Sequence, residues 1–207
     1  MKSFGRTCVV GGILALVLSG CRPQPKPVAQ REAAKPAHTP IRVDSAVPRA
    51  VALARFQQAS QRATAFEGGA PSRDALVRAF VRAVETKDTT TLRRLVISRG
   101  EFAYLFYPTS AQGLPPYSLS PDLYWFMTVE QSNRGVHHLV DELGGKHLPY
   151  VGYRCQGDST VEGANTLWGP CLIHTIQRGG DTLSQRLFGR IVARDGRYKF
   201  LSYSNKL

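Results

Sequence analysis

The sequence is short of acidic residues: 15 Asp and Glu stand against 27 Lys and Arg among its 207 residues, which gives a formal net charge of +12. A charge of this size favours nucleic acid or an anionic surface as partner. The excess is uneven, however, since residues 1–67 carry +7 and residues 68–207 only +5. Nucleic-acid binding also requires basic residues interleaved with aromatic ones, or a recognisable binding fold, and the sequence has neither. We therefore expect no nucleic-acid partner.

Short catalytic and cofactor-binding motifs are also missing. The sequence contains no Gly-x-Ser-x-Gly elbow, no phosphate-binding loop, no dinucleotide fingerprint and no paired-carboxylate motif. It has no apolar run of about 20 residues, the length that a membrane-spanning helix needs. The composition, with 43% hydrophobic and 20% charged residues, is that of a globular protein. The sequence thus predicts a folded chain without a cofactor, and it favours a non-enzymatic role.

The N-terminus has the layout of an export signal. Lys2 and Arg6 precede an apolar run at 9–18, which small residues follow. Residues 18–21, Leu-Ser-Gly-Cys, resemble the lipobox of bacterial lipoproteins. The resemblance implies that Cys21 receives a lipid thioether and that the chain is cut before it. An ordinary secretory signal with an incidental cysteine is the alternative.

Beyond Cys21 the sequence predicts a tether and then one domain. In lipoproteins an Asp after the cysteine often retains the protein in the inner membrane; Arg22 stands here, which indicates the outer membrane if the cell has one, and otherwise the outer face of the plasma membrane. Residues 22–46 carry five prolines and no apolar periodicity, as a solvated linker does. We divide the chain into a signal peptide at 1–20, a tether at 21–46 and a globular domain at 47–207.

The first part of this domain has helical patterns. Helices are predicted over 48–66, after Ser72, after Asp88, over 101–107 with Ser98 as cap and Pro108 as stop, and from Ser120-Pro121-Asp122 to Gly144 with an interruption at Gly135. The last of these is expected to bury one apolar face, formed by Leu123, Phe126 and Met127 or Trp125.

After Gly145 the pattern changes to β-branched and aromatic runs, at 150–155, 166–178, 182–193 and 197–204. Gly-rich or Asp-Gly turns separate the later runs at hairpin distance. Helices first and strands last predict an α+β domain, with helices packed on a four-stranded antiparallel meander of cone-like or roll-like form.

Residues 75–96 and the closing 195–200, Asp-Gly-Arg-Tyr-Lys-Phe, resemble ketosteroid-isomerase-like and polyketide-cyclase-like domains of the nuclear transport factor two-like superfamily. The resemblance implies a cone with an Asp or His base and a Tyr or acid partner. His174 with Tyr153 or Tyr198 would be that pair, in an isomerase, dehydratase or cyclase. A lone strand histidine is more often structural, so this enzyme is our second hypothesis.

Two cysteines remain if Cys8 leaves with the signal and Cys21 is lipidated. An exported protein is expected to pair Cys155 with Cys171 as a disulfide. The alternative is a metal site in which His174 joins the two cysteines, with further ligands from His137, His138 and His147. The spacing matches no structural zinc pattern, so we predict the disulfide and no metal.

An aromatic-rich segment at 101–107, together with Tyr124-Trp125-Phe126, is the most unusual composition in the chain. Tyr104, Tyr107 and Trp125 could line a small-molecule cleft with Glu101 or Asp122 as polar anchor. Aromatic residues at helical spacing are more often core, with their polar tips hydrogen-bonded at its edge. Our leading hypothesis is a lipid-anchored envelope protein whose domain binds a small ligand or an envelope protein without catalysis.

Overall fold

The computed structural model describes residues 47–207, so the predicted signal peptide, the tether and Cys21 lie outside the described residues. The helical elements are α1 (Arg49–Gln58), α2 (Arg73–Glu85), α3 (Thr89–Leu95), α4 (Arg99–Glu101), a π-helical turn (Phe102–Phe106), two 3₁₀ turns (Tyr107–Thr109 and Ala111–Gly113) and α5 (Pro121–Glu142). The second half of the domain is strand-rich. The predicted α+β class is confirmed.

Helix starts follow the predicted caps. The side chains of Ser72, Asp88 and Ser120 each accept a hydrogen bond from the backbone N–H three residues on. Each bond satisfies one of the unpaired N–H groups at a helix N-terminus. The predicted stop at Pro108 is wrong, because a 3₁₀ turn continues to Thr109; proline is tolerated in a first helical turn.

The prediction of a helix over 48–66 is wrong in its second half, since α1 ends at Gln58. Phe56 is the buried residue of α1, and no continuous apolar face beyond it holds further turns against the protein. The Ser60 hydroxyl donates to the Phe56 carbonyl at 2.7 Å, just past the end of the helix. Side-chain bonds of this kind compete with helical ones.

The predicted interruption of α5 at Gly135 is also wrong, because the helix runs unbroken for 22 residues. Glycine is needed there for a different reason. A Cβ at this position would lie 1.7 Å from the carbonyl oxygen of Tyr203. The C-terminal segment thus crosses α5 in direct backbone contact, and the Asn205 side chain donates to the Gly135 carbonyl at 2.8 Å.

The expected buried face of α5 is wrong as well. Leu123, Phe126 and Met127 are exposed, and Trp125 is half-buried. The buried positions of α5 are mostly small or polar: Pro121, Thr128, Ser132, Gly135 and Leu139. Small side chains let the C-terminal segment approach closely, so α5 turns this side inward, while Leu123, Phe126 and Met127 stay uncovered.

Within residues 47–207, seven strands form two antiparallel sheets. They are β1 (Tyr150–Cys155), β2 (Thr160–Glu162), β3 (Asn165–Trp168), β4 (Cys171–Ile176), β5 (Thr182–Gln185), β6 (Ile191–Arg194) and β7 (Arg197–Phe200). The orders are β1-β4-β5 and β2-β3-β6-β7. The region predicted as a single four-stranded meander therefore contains two sheets, of three and four strands. The run at 166–178 divides at Gly169-Pro170, where proline offers no N–H to a sheet.

Two apolar clusters make the core of the part of the chain that the structure describes. In the first, Phe80 of α2 contacts Phe188 and Phe200 edge-on and stacks against Tyr203. In the second, Phe56, Phe102 and Phe106 pack with Leu167 and other residues of the four-stranded sheet. Phe102 contacts Phe56 edge-on, with ring centroids 5.8 Å apart. Most of the aromatic-rich segment is thus core.

A buried ion pair joins the second cluster to β7. Glu101 and Lys199 are 1% and 2% exposed, and the Lys199 Nζ lies 2.8 and 2.9 Å from the two carboxylate oxygens. The same ammonium donates to the carbonyl of Glu67 at 2.8 Å. The carboxylate also accepts from the backbone N–H groups of Glu67 and Ser98, both at 2.6 Å. All three ammonium protons therefore have acceptors.

Candidate functional site

A cleft of 590 Å³ lies between α1, the 3₁₀ turns and the loop that precedes α5. Its lining includes Val47, Arg49, Ala52, Tyr107, Pro115 and Leu119. Side chains of mainly apolar character with a few polar groups are typical of small-molecule sites, which usually measure about 300–1,000 Å³. This cleft is the best candidate for the ligand site that the aromatic composition indicated.

Arg49 supplies the charge of the cleft. Its Nη2 donates to the carbonyls of Pro108 at 2.8 Å and Tyr107 at 3.3 Å. The guanidinium carbon lies 5.2 Å from the centroid of the Tyr107 ring, within cation–π range. Among the described residues, the Arg49 Nε has no hydrogen-bond partner although it is buried. The guanidinium is thus held at two points and keeps unused donor capacity.

Tyr107 forms one wall of the cleft and is fully buried. Its hydroxyl donates to the carbonyl of Leu119 at 2.7 Å, which ties the loop before α5 to the aromatic core. Burial raises the pKa of Tyr107, and the positive charge of Arg49 partly opposes this rise. Gly113 lies flat against the ring, since a Cβ there would be 3.0 Å from its Cζ atom.

The other aromatic candidates do not line this cleft. The Tyr104 hydroxyl donates to the carbonyl of Gln57 at 2.9 Å, and Trp125 packs against Phe102 with ring centroids 5.2 Å apart. Both serve the core, as the alternative interpretation of the aromatic residues held. Neither residue lines the cleft beside Tyr107, and a ligand-binding role for them stays a prediction.

Neither of the expected polar anchors, Glu101 and Asp122, lines this cleft. Glu101 is buried in the ion pair with Lys199, and Asp122 is an exposed residue in the first turn of α5. A carboxylate there is favourable for the helix dipole. Arg49 was missed, although it carries a signal: a cation in the first turn of a helix opposes the dipole, which indicates that something else fixes it there.

The residues of the enzyme hypothesis are not brought together. His174 pairs with Gly152 across the β1–β4 ladder, whereas Tyr153 pairs with Ile173. Because neighbouring residues of a strand point to opposite faces, His174 and Tyr153 lie on opposite sides of the sheet. The Nδ1 of His174 is 2.8 Å from the hydroxyl of Ser184 on β5. Tyr198 belongs to the other sheet.

Tyr153 instead contacts α2. Its hydroxyl donates to the Asp74 carboxylate at 3.0 Å. Burial and this hydrogen bond raise the pKa of Tyr153 to about 12. A phenol with so high a pKa remains protonated at neutral pH and acts as a fixed donor that connects β1 to the start of α2.

Cys155 and Cys171 form the predicted disulfide, with their sulfur atoms 2.00 Å apart. The two residues lie directly opposite each other on β1 and β4. The bond removes both thiols from the alternative metal site. Within residues 47–207, no group of three or more His, Cys, Asp or Glu side chains is placed to hold a metal ion.

A second groove of 340 Å³ lies between α3 and α5, where Leu92, Val96, Val136 and Tyr203 line it. The Tyr203 hydroxyl is committed to the carbonyl of Leu92 at 2.6 Å. Arg93 and His137 also line this groove. It is smaller than the Arg49 cleft and lacks a cation held by backbone carbonyls, so the Arg49 cleft is the stronger site.

None of the helices in residues 47–207 combines the length and the apolar character that crossing a membrane requires. No protein-family model, no curated protein and no solved structure matches this chain.

Proposed function

We propose that this chain is a lipid-anchored protein of the bacterial cell envelope whose α+β domain binds a small ligand without catalysing a reaction on it. The ligand has an apolar body and one anionic group. The observation that carries this proposal is Arg49, a cation held by two backbone carbonyls and a tyrosine ring at the wall of a largely apolar cleft.

The chemistry of the ligand follows from the lining. Val47, Ala52, Pro115 and Leu119 offer apolar surface, which favours a hydrophobic body. Arg49 retains N–H groups beyond those bound to carbonyls, and a guanidinium binds carboxylate, phosphate or sulfonate oxygens with charge-assisted bonds. A buried N–H without an acceptor costs about 1–3 kcal/mol, so an oxygen that reached it would be favoured.

The anchor rests on the sequence at Cys21. The lipobox-like junction supports lipidation there, and two or more acyl chains hold a protein stably on a membrane. Replacing Cys21 with Ser is expected to release the protein from the membrane fraction. Retention of that variant in membranes would refute the anchor while leaving the cleft untouched.

The alternative is an isomerase-type enzyme, as the resemblance to ketosteroid-isomerase-like domains implies. Its candidate base, His174, lines neither the Arg49 cleft nor the groove between α3 and α5. No observation favours that activity over binding, and the family resemblance itself stays a prediction.

A pair of matched probes tests the cleft. The dyes 8-anilinonaphthalene-1-sulfonate and N-phenyl-1-naphthylamine share a ring system, but only the first has a sulfonate. Arg49→Met is expected to weaken binding of the sulfonate dye about ten- to hundredfold, because one charge-assisted bond contributes about 1.5–3 kcal/mol. Binding of the neutral dye should stay unchanged.

Two further variants separate the site from the surface. Arg55→Met removes an exposed arginine in the last turn of the same helix and is expected to leave both dyes unaffected. Ala52→Phe places a bulky side chain in the cleft and should weaken both. Equal loss of both dyes in Arg49→Met, or unchanged binding in Ala52→Phe, would refute this site.

A further inference from the structure

Exposed apolar side chains are concentrated around the Arg49 cleft. Of the twelve large hydrophobic side chains that are exposed among the described residues, seven belong to the start of α1, the loop before α5 and the first turns of α5. We call these seven the apolar rim: Val47, Val51, Leu114, Tyr117, Leu123, Phe126 and Met127. Contiguous apolar surface on a soluble domain usually marks an interaction site.

Contacts show that the three segments of the rim adjoin one another. Val47 lines the same cleft as Leu119 and Ser120, which end the loop before α5. The Ser120 hydroxyl accepts from the N–H of Leu123, so the first turn of α5 starts at the cleft. Within the loop, the N–H of Ser118 donates to the carbonyl of Leu114 at 2.9 Å. The cleft is thus bordered by the rim.

We propose that the apolar rim docks into the interfacial layer of the lipid bilayer, so that the cleft meets the membrane and takes an anionic amphiphile from it. This inference rests on the proposed function, because it assumes both the anchor at Cys21 and a ligand held by Arg49. It adds the surface that makes contact and the source of the ligand.

The length of chain before Val47 favours the bilayer as the occupant. Residues 21–46 make 26 residues between the predicted lipid and the rim. Whatever its conformation, a chain of that length spans at most about 90 Å, so a lipid at Cys21 would keep the domain close to the membrane. Val47 is the first described residue and belongs to the rim. The rim therefore begins at the point of the domain that is closest in sequence to the predicted lipid at Cys21.

The chemistry of the rim also suits a lipid interface. Tyr117 and Phe126 are each 60% exposed; tyrosine is enriched at the level of lipid headgroups, and phenylalanine occurs on the membrane-facing side of interfacial helices. The rim itself carries no charged side chain. Asp122 and Glu130 lie near it on exposed positions of α5. Docking should therefore depend on apolar insertion and should persist when salt screens charges.

The test uses residues 21–207 with Cys21→Ser, which lack the lipid but keep the tether. Sedimentation with phosphatidylcholine vesicles, at low and at high salt, measures docking alone. The double variant Phe126→Glu/Met127→Glu is expected to bind at least about tenfold more weakly, because two large apolar side chains would no longer be buried in the bilayer. Val151→Glu is the matched control, because Val151 is 56% exposed on β1, outside the rim.

Tyr117→Ser provides a second variant on a different segment, and circular dichroism confirms that each variant is folded. Failure of the parent chain to bind vesicles, an equal loss in Val151→Glu, or loss of all binding at high salt would overturn the proposal. So would a self-associating parent chain that Phe126→Glu/Met127→Glu converts to monomers, because the rim would then join two copies.

The dyes distinguish this proposal from the proposed function. The rim variant should still bind the sulfonate dye, and Arg49→Met should still bind vesicles. Loss of dye binding in Arg49→Met together with absence of vesicle binding in the parent chain would retain the cleft and reject the docking. The reverse result would retain the docking and reject the cleft.

Discussion

Replacing Lys199 with methionine is expected to lower the free energy of unfolding by about 3–5 kcal/mol, the cost of leaving one member of a buried ion pair without its partner. The Lys199 ammonium makes three hydrogen bonds of 2.8–2.9 Å, two to Glu101 and one to the carbonyl of Glu67. Methionine keeps the apolar stem of the side chain but supplies none of the three donors. The Glu101 carboxylate, 1% exposed, would keep only its two backbone donors.

Urea unfolding followed by circular dichroism measures this loss. For a domain of this size the free energy changes by about 2 kcal/mol per molar urea, so the midpoint should fall by about 2 M. Lys206→Met serves as the control, because Lys206 is exposed and should change stability by less than about 0.5 kcal/mol.

The double variant Glu101→Gln/Lys199→Met tests the coupling of the pair. Because it removes both charges, it should be less destabilised than the sum of the two single variants. A loss below about 1 kcal/mol in Lys199→Met, or strict additivity in the double variant, would show that the pair does not hold the aromatic cluster to β7.

Three further outcomes are expected. Gly135→Ala should destabilise by about 2 kcal/mol or more and displace the C-terminal segment, because its Cβ would overlap the Tyr203 carbonyl; Gly152→Ala, with open space around it, should change stability little, and thermal unfolding compares them. Reducing the β1–β4 disulfide should cost about 3 kcal/mol, measured as the midpoint shift with and without reductant. Because folding raises the pKa of Tyr153 to about 12, the protonated side chain contributes to the stability of the fold below pH 10, and this contribution is lost as the pH rises to about 12. Tyr153→Phe should therefore lose less stability than the parent between pH 10 and 12, as measured by urea midpoints at each pH.

Each of these expectations has a result that would contradict it. Equal stability of the two glycine variants would show that the C-terminal segment yields without cost. An unchanged midpoint under reductant would show that the disulfide does not constrain the unfolded chain. An alkaline stability loss as steep in Tyr153→Phe as in the parent would assign that loss to other tyrosines.

Local features were predictable from the sequence because they involve residues close together in the chain. The caps at Ser72, Asp88 and Ser120 are bonds across three residues. The shift from helical to strand-like patterns at Gly145 was likewise visible, because side-chain periodicity reflects backbone geometry. The pairing of Cys155 with Cys171 followed from the predicted export of the chain and from their positions on neighbouring strands.

The candidate site was only partly predictable. Tyr107 was named as a ligand-site residue and lines the cleft, but Tyr104 and Trp125 were named with it and belong to the core. Amino-acid composition identifies a cluster of aromatic residues, but it does not show which of them line a cleft and which lie in the core. Arg49, the cation of the cleft, lies 58 residues before Tyr107, and no local sequence pattern connects the two residues.

The sequence by itself determined the α+β class, the helix starts and the disulfide, since each depends on short-range patterns or on a count of reactive groups. The tertiary structure alone decided which side of α5 faces inward, where Glu101 finds its counter-ion and why residue 135 is a glycine. Those outcomes depend on backbone contacts between distant segments, such as the Tyr203 carbonyl against α5. Phe126, which a periodic pattern placed in the core, is exposed.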